Sequence, residues 1–516
     1  MNVAIHTHTG AARALPAPTD LLEPLSDWLE THGLPLNTRC GGRGLCRGCE
    51  VRLAPGEPLL RACQLTACDL PVADASIHIP ITSRRDALLH GVTAFKVRRP
   101  GPGPARRPGW GLALDIGTTT VAGVLWDFST GDRVSDGALA NAQRRHGDNV
   151  VSRISFALEH GDGLARLRRA LLEESIAPLL TMLCREAVLD PEQITVATAA
   201  GNPAMLHTLA GASLDGLARF PFSPVFLGDR RLAPGDHGLP LRCPLDLLPG
   251  LGPFVGSDIT AGALASGMID EPSPTLLIDF GTNGEILLKY SGGYLATATA
   301  AGPAFEGGRL ACGAPARQGV ISSLRREHGR WGWTLSGGGT GRPVGLSGAA
   351  YVDFIALAAR EGLLDRMGRL RRGHPEVVSV TGAEPGAAVR VVLTDELYVS
   401  EADIAELLQA KAAIAAGVAT LLELAGLRAE DLRVLHVAGG FGYHLALAHA
   451  QSVGLLPALP LDRIGLIGNS SLGGASLLLH PGQRQALDAL LSGTRVVELR
   501  QVPSFENRFT DALELP

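Results

Sequence analysis

An internal repeat restricts the fold of this chain more than any other feature. Residues 112–126 read Leu-Ala-Leu-Asp115-Ile-Gly117-Thr118-Thr119-Thr-Val-Ala-Gly-Val-Leu-Trp. Residues 276–290 align to them without a gap as Leu-Leu-Ile-Asp279-Phe-Gly281-Thr282-Asn283-Gly-Glu-Ile-Leu-Leu-Lys-Tyr. Each copy is an apolar run, an Asp-x-Gly-Thr turn and a second apolar run, which predicts strand–turn–strand. The aspartates stand 164 residues apart, from 115 to 279. A repeat at that distance predicts two similar α/β lobes facing each other across a cleft.

The turns carry phosphate chemistry. Glycine lets backbone N–H groups approach a phosphate closely, threonine hydroxyls donate to its oxygens, and an aspartate at a strand end can hold Mg²⁺ or its waters. Asp115 and Asp279 are therefore the expected catalytic carboxylates. Gly117, Thr118, Thr119, Gly281, Thr282 and Asn283 are expected to contact nucleotide. Further on, Val437-Ala438-Gly439-Gly440-Phe441-Gly442 is an apolar strand entering a glycine turn, and Gly468–Ala475 is a second small-residue turn. The glycines of both turns, Gly439, Gly440 and Gly442 in the first, would let a flat adenine lie against backbone; the alternative is two strand–helix turns that need glycine for packing alone. No Gly-x-x-x-x-Gly-Lys-Ser/Thr run occurs, which excludes a Walker-type loop.

The N-terminal region has a different chemistry. Cys40, Cys46, Cys49 and Cys63 cluster within the first 63 residues. Thiolates are the soft ligands of iron–sulfur clusters, and the intervening glycines let amides turn toward the sulfurs. A [2Fe–2S] cluster is the expected occupant and tetrahedral zinc the alternative, although zinc usually takes paired Cys-x-x-Cys knuckles and only one occurs here. Cys68 reads as a buried spectator, and Cys184, Cys243 and Cys312 as structural residues. Residues 1–82 read as a small α+β unit of β-grasp, ferredoxin-like type: a strand near 2–5, a helix at 21–30, the cysteine loop, and strands near 50–53 and 77–81. A connector follows at 83–109, whose stretch 97–109 alternates Pro, Gly and Arg and reads as an extended, partly flexible tether. Residues 110–270 and 271–516 are then the first and second of two α/β lobes.

Composition narrows the function classes. Net charge is −5, so no basic field for nucleic acid exists. No charged segment followed by an apolar one opens the chain, and no uninterrupted apolar run of about 18 residues predicts a membrane span. The greasiest helix candidate, 410–427, contains Lys411 and Glu423. Free thiols and an exposed cluster fit a reducing cytoplasm. Glycine is over-used, at 64 of 516 residues against about 7% on average, which points to tight turns and close backbone approaches. His207 and His436 read as packing histidines rather than metal ligands. Glu306 reads equally as a helix-entry carboxylate or a cleft residue, and the role of Asp258 stays open.

The paired turns and Val-Ala-Gly-Gly-Phe-Gly resemble the acetate kinase, sugar kinase, chaperone and actin superfamily, which implies that 110–270 and 271–516 form the first and second lobes of an α/β, two-lobed, actin-like ATPase with ribonuclease H-like lobes. More narrowly the chain resembles reductive activators of corrinoid-dependent enzymes. The matching stretches include Asp115–Thr120, Asn141-Ala-Gln143, Ser152-Arg153-Ile154, Gly201-Asn202 with Met205-Leu-His207, Gly256–Gly262, Asp279–Glu285, Ala300–Gly308 and Gly439–Gly442. The Cys49-to-Cys63 interval is shorter than is usual there. The resemblance implies ATP-dependent, one-electron reduction of cob(II)alamin to cob(I)alamin, from a [2Fe–2S] cluster, with ATP and Mg²⁺ as the further cofactors. Implied partners are a corrinoid protein or corrinoid-dependent methyltransferase and an electron-donating reductase; the oligomeric state stays open, a homodimer among the options. A plant-type cluster sits near about −400 mV, so ATP would have to make an uphill transfer possible. The alternatives are a small-molecule kinase with a regulatory cluster and a plain ferredoxin-type carrier.

Overall fold

The computed structural model describes residues 2–7, 12–32, 34, 36, 49–54, 57–70, 75–79, 92–98, 107–338, 341–380, 388–441 and 445–516. Two six-stranded mixed sheets dominate it. The first repeat forms the antiparallel hairpin Trp110–Ile116 and Thr120–Asp127, extended on one side by Asp132–Ala140. On the other side Ile194–Gly201 and Leu245–Leu247 follow in parallel, with Arg230–Leu232 at the edge.

The second repeat builds the same plan. Thr275–Phe280 and Gly284–Tyr290 pair antiparallel, Gly293–Thr299 flanks them, and Val434–Ala438 and Ile464–Gly468 follow in parallel. Thr494–Val496 adds a sixth strand beside Gly293–Thr299. In both hairpins the aspartate lies one residue before the end of the first strand, so its side chain reaches the rim of the sheet.

Each sheet is held by its own apolar layer. In the first lobe Leu112, Leu114 and Leu125 pack against Leu167, Leu171, Leu179 and Leu183 of the helical run Gly163–Glu186, whose middle turn, Leu172–Ile176, is a π-turn. In the second, Ile278, Ile286 and Leu288 pack with Ile414, Val418 and Leu421 of the helix Glu401–Leu424. Fully burying each such side chain contributes about 1.5–3 kcal/mol. Among the described residues Glu401–Leu424 is the one helix long and apolar enough to cross a membrane, and most of its apolar stretch is buried in this core.

Two helices join the lobes: Ser257–Ser266, between the two sheets in sequence, and Ser470–Leu477, which follows the strand Ile464–Gly468. They cross in direct backbone contact, because a Cβ at Gly474 would come within 2.0 Å of the Ala261 carbonyl oxygen. Gly473 and Gly474 thus lie inside a helix rather than in a turn, and Gly474 serves the packing of the crossing, as the strand–helix alternative has it.

The N-terminal region has its own small core. Asn2–Thr7 pairs antiparallel with Ala12–Pro16 and parallel with Ser76–Ile79, and the helix Leu25–Thr31 packs on this sheet through Leu25, Trp28 and Leu29. The strand Ala12–Pro16 was not foreseen. The helix begins at Leu25 rather than at 21, since Pro24 pre-sets its first turn, and Leu21 and Leu22 stay exposed.

Parts of the connector are described. Residues 99–106 lie outside the described residues, but Val92–Arg98 is bonded along its length to the two lobes. Arg107 donates to the Leu479 carbonyl and stacks on Phe128.

Candidate functional site

The rims of the two sheets meet in a cleft of about 190 Å³. It is lined by Asp115, Gly117, Thr118 and Thr119 from the first turn, by Asp279, Gly281, Thr282 and Asn283 from the second, and by Gly439 and Gly440. The structure thus brings together every nucleotide-site residue expected from sequence except Gly442, which lies outside the described residues. Asp258, Glu285 and Glu306 join them.

The aspartates are held from one helix start. Asn469 caps Ser470–Leu477 by accepting the Leu472 N–H at 2.8 Å, and its amide donates to Asp115 Oδ2 at 2.8 Å. Ser471 Oγ donates to Asp115 Oδ1 at 2.8 Å, and Ser470 Oγ reaches Asp279 Oδ2 at 3.3 Å. One helical turn therefore fixes a carboxylate from each lobe. Sequence reading missed this role, although Asn-Ser-Ser before an apolar run is a helix-start signal.

The two turns also meet. Glu306 Oε2 accepts from Thr119 Oγ1 at 2.7 Å and from Thr282 Oγ1 at 3.1 Å, which resolves Glu306 as a cleft residue. Behind the first turn Arg153 is fully buried and donates to the Thr118 carbonyl at 2.5 Å and the Gly147 carbonyl at 2.9 Å. Asn141 Nδ2 donates to the Gly117 carbonyl, and Asn202 Nδ2 to Thr118 Oγ1, both at 2.9 Å. These contacts preset the turn. Gly439, at φ +90°, passes so close that a Cβ there would stand 2.2 Å from the Phe280 carbonyl oxygen.

Electrostatically the cleft is acidic. Burial, then the charges of Asp258 and Asp115, push Asp279 up to about 8. Burial and the Asp115 charge push Asp258 up to about 6. Burial raises Asp115 against the hydrogen bonds from Asn469 and Ser471, and raises Glu285 with help from Asp258 and Asp279. No Lys or Arg lines the cleft among the described residues. Oxygen donors of this kind suit a hard cation. No trio of His, Cys, Asp or Glu among the described residues has metal-holding geometry.

The cysteine site is partly described. Glu50–Val51 pairs with Leu60–Arg61 in the register Glu50 to Arg61, and the Ala62 N–H donates to the Cys49 carbonyl at 3.1 Å. This hairpin brings Cys49 and Cys63 to one end, both buried. Gln64 Nε2 lies 3.8 Å from Cys63 Sγ, an N–H aimed at a sulfur as thiolate ligands commonly receive. Cys40 and Cys46 lie outside the described residues. Cys68 is exposed on the turn Ala67–Asp69, not buried as expected, because that turn packs outside the small core. His207 is buried with Nδ1 on the Pro203 carbonyl and its ring stacked on Phe226, and His436 Nε2 pairs with Glu271 at 2.7 Å.

Two duplicated lobes with Asp-x-Gly-Thr turns across an acidic cleft define an actin-like, ASKHA-type ATPase. The family described as the RACo middle region matches residues 110–271, and the C-terminal ASKHA domain of RACo matches 273–516. A corrinoid activation enzyme, RamQ of Eubacterium limosum, is 32% identical over 414 residues, covering 77% of this chain and 69% of the relative. The [Co(II) methylated amine-specific corrinoid protein] reductase of Methanosarcina barkeri is 24% identical over 404 residues, covering 70% and 68%. The solved reductive activator for corrinoid, iron-sulfur protein superposes with a TM-score of 0.73 at 26% identity, covering 100% of this chain and 98% of that one. The chain belongs to the RACo family, the reductive activators of corrinoid-dependent enzymes.

Proposed function

We propose that this protein is an ATP-dependent reductive activator that returns the cob(II) state of a partner corrinoid protein to cob(I). The observation that carries the ATPase half is the start of the helix Ser470–Leu477, where one turn holds Asp115 from the first lobe and Asp279 from the second. A nucleotide spanning both turns would clamp the lobes. Its phosphates would take the Thr119 and Thr282 hydroxyls now shared by Glu306. With no basic side chain among the described lining residues, Mg²⁺ beside Asp115 and Asp279 would offset the phosphate charge, and the preset backbone of the first turn would orient the phosphates.

The N-terminal unit, taken as 1–82, is read as ferredoxin-like, with Cys40, Cys46, Cys49 and Cys63 as ligands. The Cys49–Cys63 hairpin and the Gln64 amide support that reading. A [2Fe–2S] cluster held there supplies single electrons. Residues 83–109 are the connector, and 110–270 and 271–516 the two lobes. A reductase that loads the cluster is the remaining partner, and a reducing cytoplasm the expected setting.

ATP hydrolysis by the full chain, with and without a cob(II) corrinoid protein, tests this. The parent should show slow turnover that rises on adding the partner. Asp115→Asn should lower both rates by about 100-fold or more while the visible spectrum of the cluster stays unchanged. Turnover by Asp115→Asn at the parent rate would reduce the paired turns to structural hairpins.

A further inference from the structure

Between the cysteine-bearing region and the first lobe, the described segment Val92–Arg98 packs into the ATPase. Phe95 forms an antiparallel bridge with Gly468, the Asn469 N–H donates to the Ala94 carbonyl at 2.9 Å, and the Lys96 N–H to the Ile467 carbonyl at 2.9 Å. Val92–Lys96 thus covers the outer edge of the strand Ile464–Gly468, an edge whose backbone groups would otherwise stand open. The same segment grips the first lobe. Arg133 donates to the Thr93 carbonyl at 3.0 Å and lies over the Phe95 ring, Thr93 Oγ1 donates to Asp136, and the Arg98 N–H donates to Ala265 of the joining helix. Val92 itself lines the nucleotide cleft.

One side chain connects this segment to the chemistry. Asn469 Nδ2 donates to the Val92 carbonyl at 3.0 Å and to Asp115 Oδ2 at 2.8 Å, while Oδ1 caps the helix at Leu472. An amide is the group this spot requires: two N–H donors on one nitrogen and one acceptor oxygen. An aspartate would have neither donor and would face the Asp115 carboxylate.

We infer that Val92–Arg98 is a strap built into the ATPase body, and that Asn469 is the positioning residue through which nucleotide at Asp115 fixes the strap and so the chain leading to the cysteine site. This deepens the activator reading and rests on its ATPase half. The physical ground is that the strap is bonded to both lobes. A ligand that binds across both turns stabilises their closed arrangement and makes opening of the strap rarer.

Hydrogen exchange on the full chain reads this directly at the Lys96 and Arg98 amides. In the parent, saturating Mg-ATP or its non-hydrolysable imido analogue should slow exchange there by about tenfold. Asn469→Ser keeps an oxygen for the helix cap but replaces the two amide N–H donors with one hydroxyl on a shorter side chain, which cannot bridge Val92 and Asp115 at once; with it the slowing should shrink to about twofold or less even when nucleotide is bound. Phe95→Ala lies outside the cleft. It should exchange fast in both states, hydrolyse ATP within about twofold of the parent, and lose the nucleotide dependence of cob(I) formation. Saturable nucleotide binding with unchanged exchange at Lys96 and Arg98 would overturn the strap proposal alone. So would full slowing in Asn469→Ser. Absence of nucleotide binding would overturn the ATPase reading and the strap with it.

Discussion

Asp279 shows how much the cleft asks of single residues. Its carboxyl is pushed up to about 8 by burial and by Asp258 and Asp115. A carboxyl with a raised folded value holds its proton more tightly in the folded chain. Its contribution to stability is therefore full below the ordinary value of 3.8 and is lost as pH rises through about 8. Asp279→Asn, which cannot ionise, should gain stability on the parent as pH rises across that window in a chelator, by up to about 1.4 kcal/mol per pH unit. Denaturant midpoints of the two proteins that run parallel over the window would contradict the electrostatic account. At the other site the cysteines make opposite predictions. Cys63→Ser should lose or distort the visible cluster absorption, and Cys68→Ser, altering an exposed thiol, should leave it intact. Stoichiometric zinc without iron in freshly isolated protein would favour the zinc alternative.

At the scale of elements, the crossing of Ser257–Ser266 and Ser470–Leu477 sets how close the lobes come. A methyl at Gly474 has no room beside the Ala261 carbonyl. Gly474→Ala should cost about 1–3 kcal/mol, seen as a lower melting temperature, and should slow ATP turnover by moving the Ser470 and Ser471 hydroxyls off their aspartates. Wild-type melting and turnover would show that the crossing is looser than described. The repeated hairpins were legible because an apolar run, Asp-x-Gly-Thr and a second apolar run form a local pattern. What was not legible was tertiary. Asn469, Ser470 and Ser471 read as a small-residue loop, yet they form a capped helix start whose partners lie about 190 and 350 residues away in sequence. Glycines 473 and 474 suit a nucleotide turn and a tight helix crossing equally well by composition. Arg153 under the Thr118 carbonyl carried no signal beyond its family motif, since burial of a guanidinium is decided by carbonyls that sequence does not place.

For the whole molecule, the question is why one chain holds a cysteine site and a nucleotide cleft. The Pro-Gly-Arg stretch suggests a loose tether, and a loose tether would let the two work independently. Val92–Arg98 argues against independence, because this described part of the connector sits against the cleft, with Val92 in its lining and its carbonyl bonded to Asn469. Coupling of this kind requires that nucleotide-bound and nucleotide-free states differ in how they engage the partner. The kinase alternative would show a phosphorylated small product, and the carrier alternative would ignore nucleotide. The deciding measurement is the amount of cob(I) formed, by absorbance, when the full chain with a pre-reduced cluster meets a cob(II) corrinoid protein, with and without Mg-ATP. The account predicts cob(I) only when Mg-ATP is present; equal cob(I) with and without it would contradict the account.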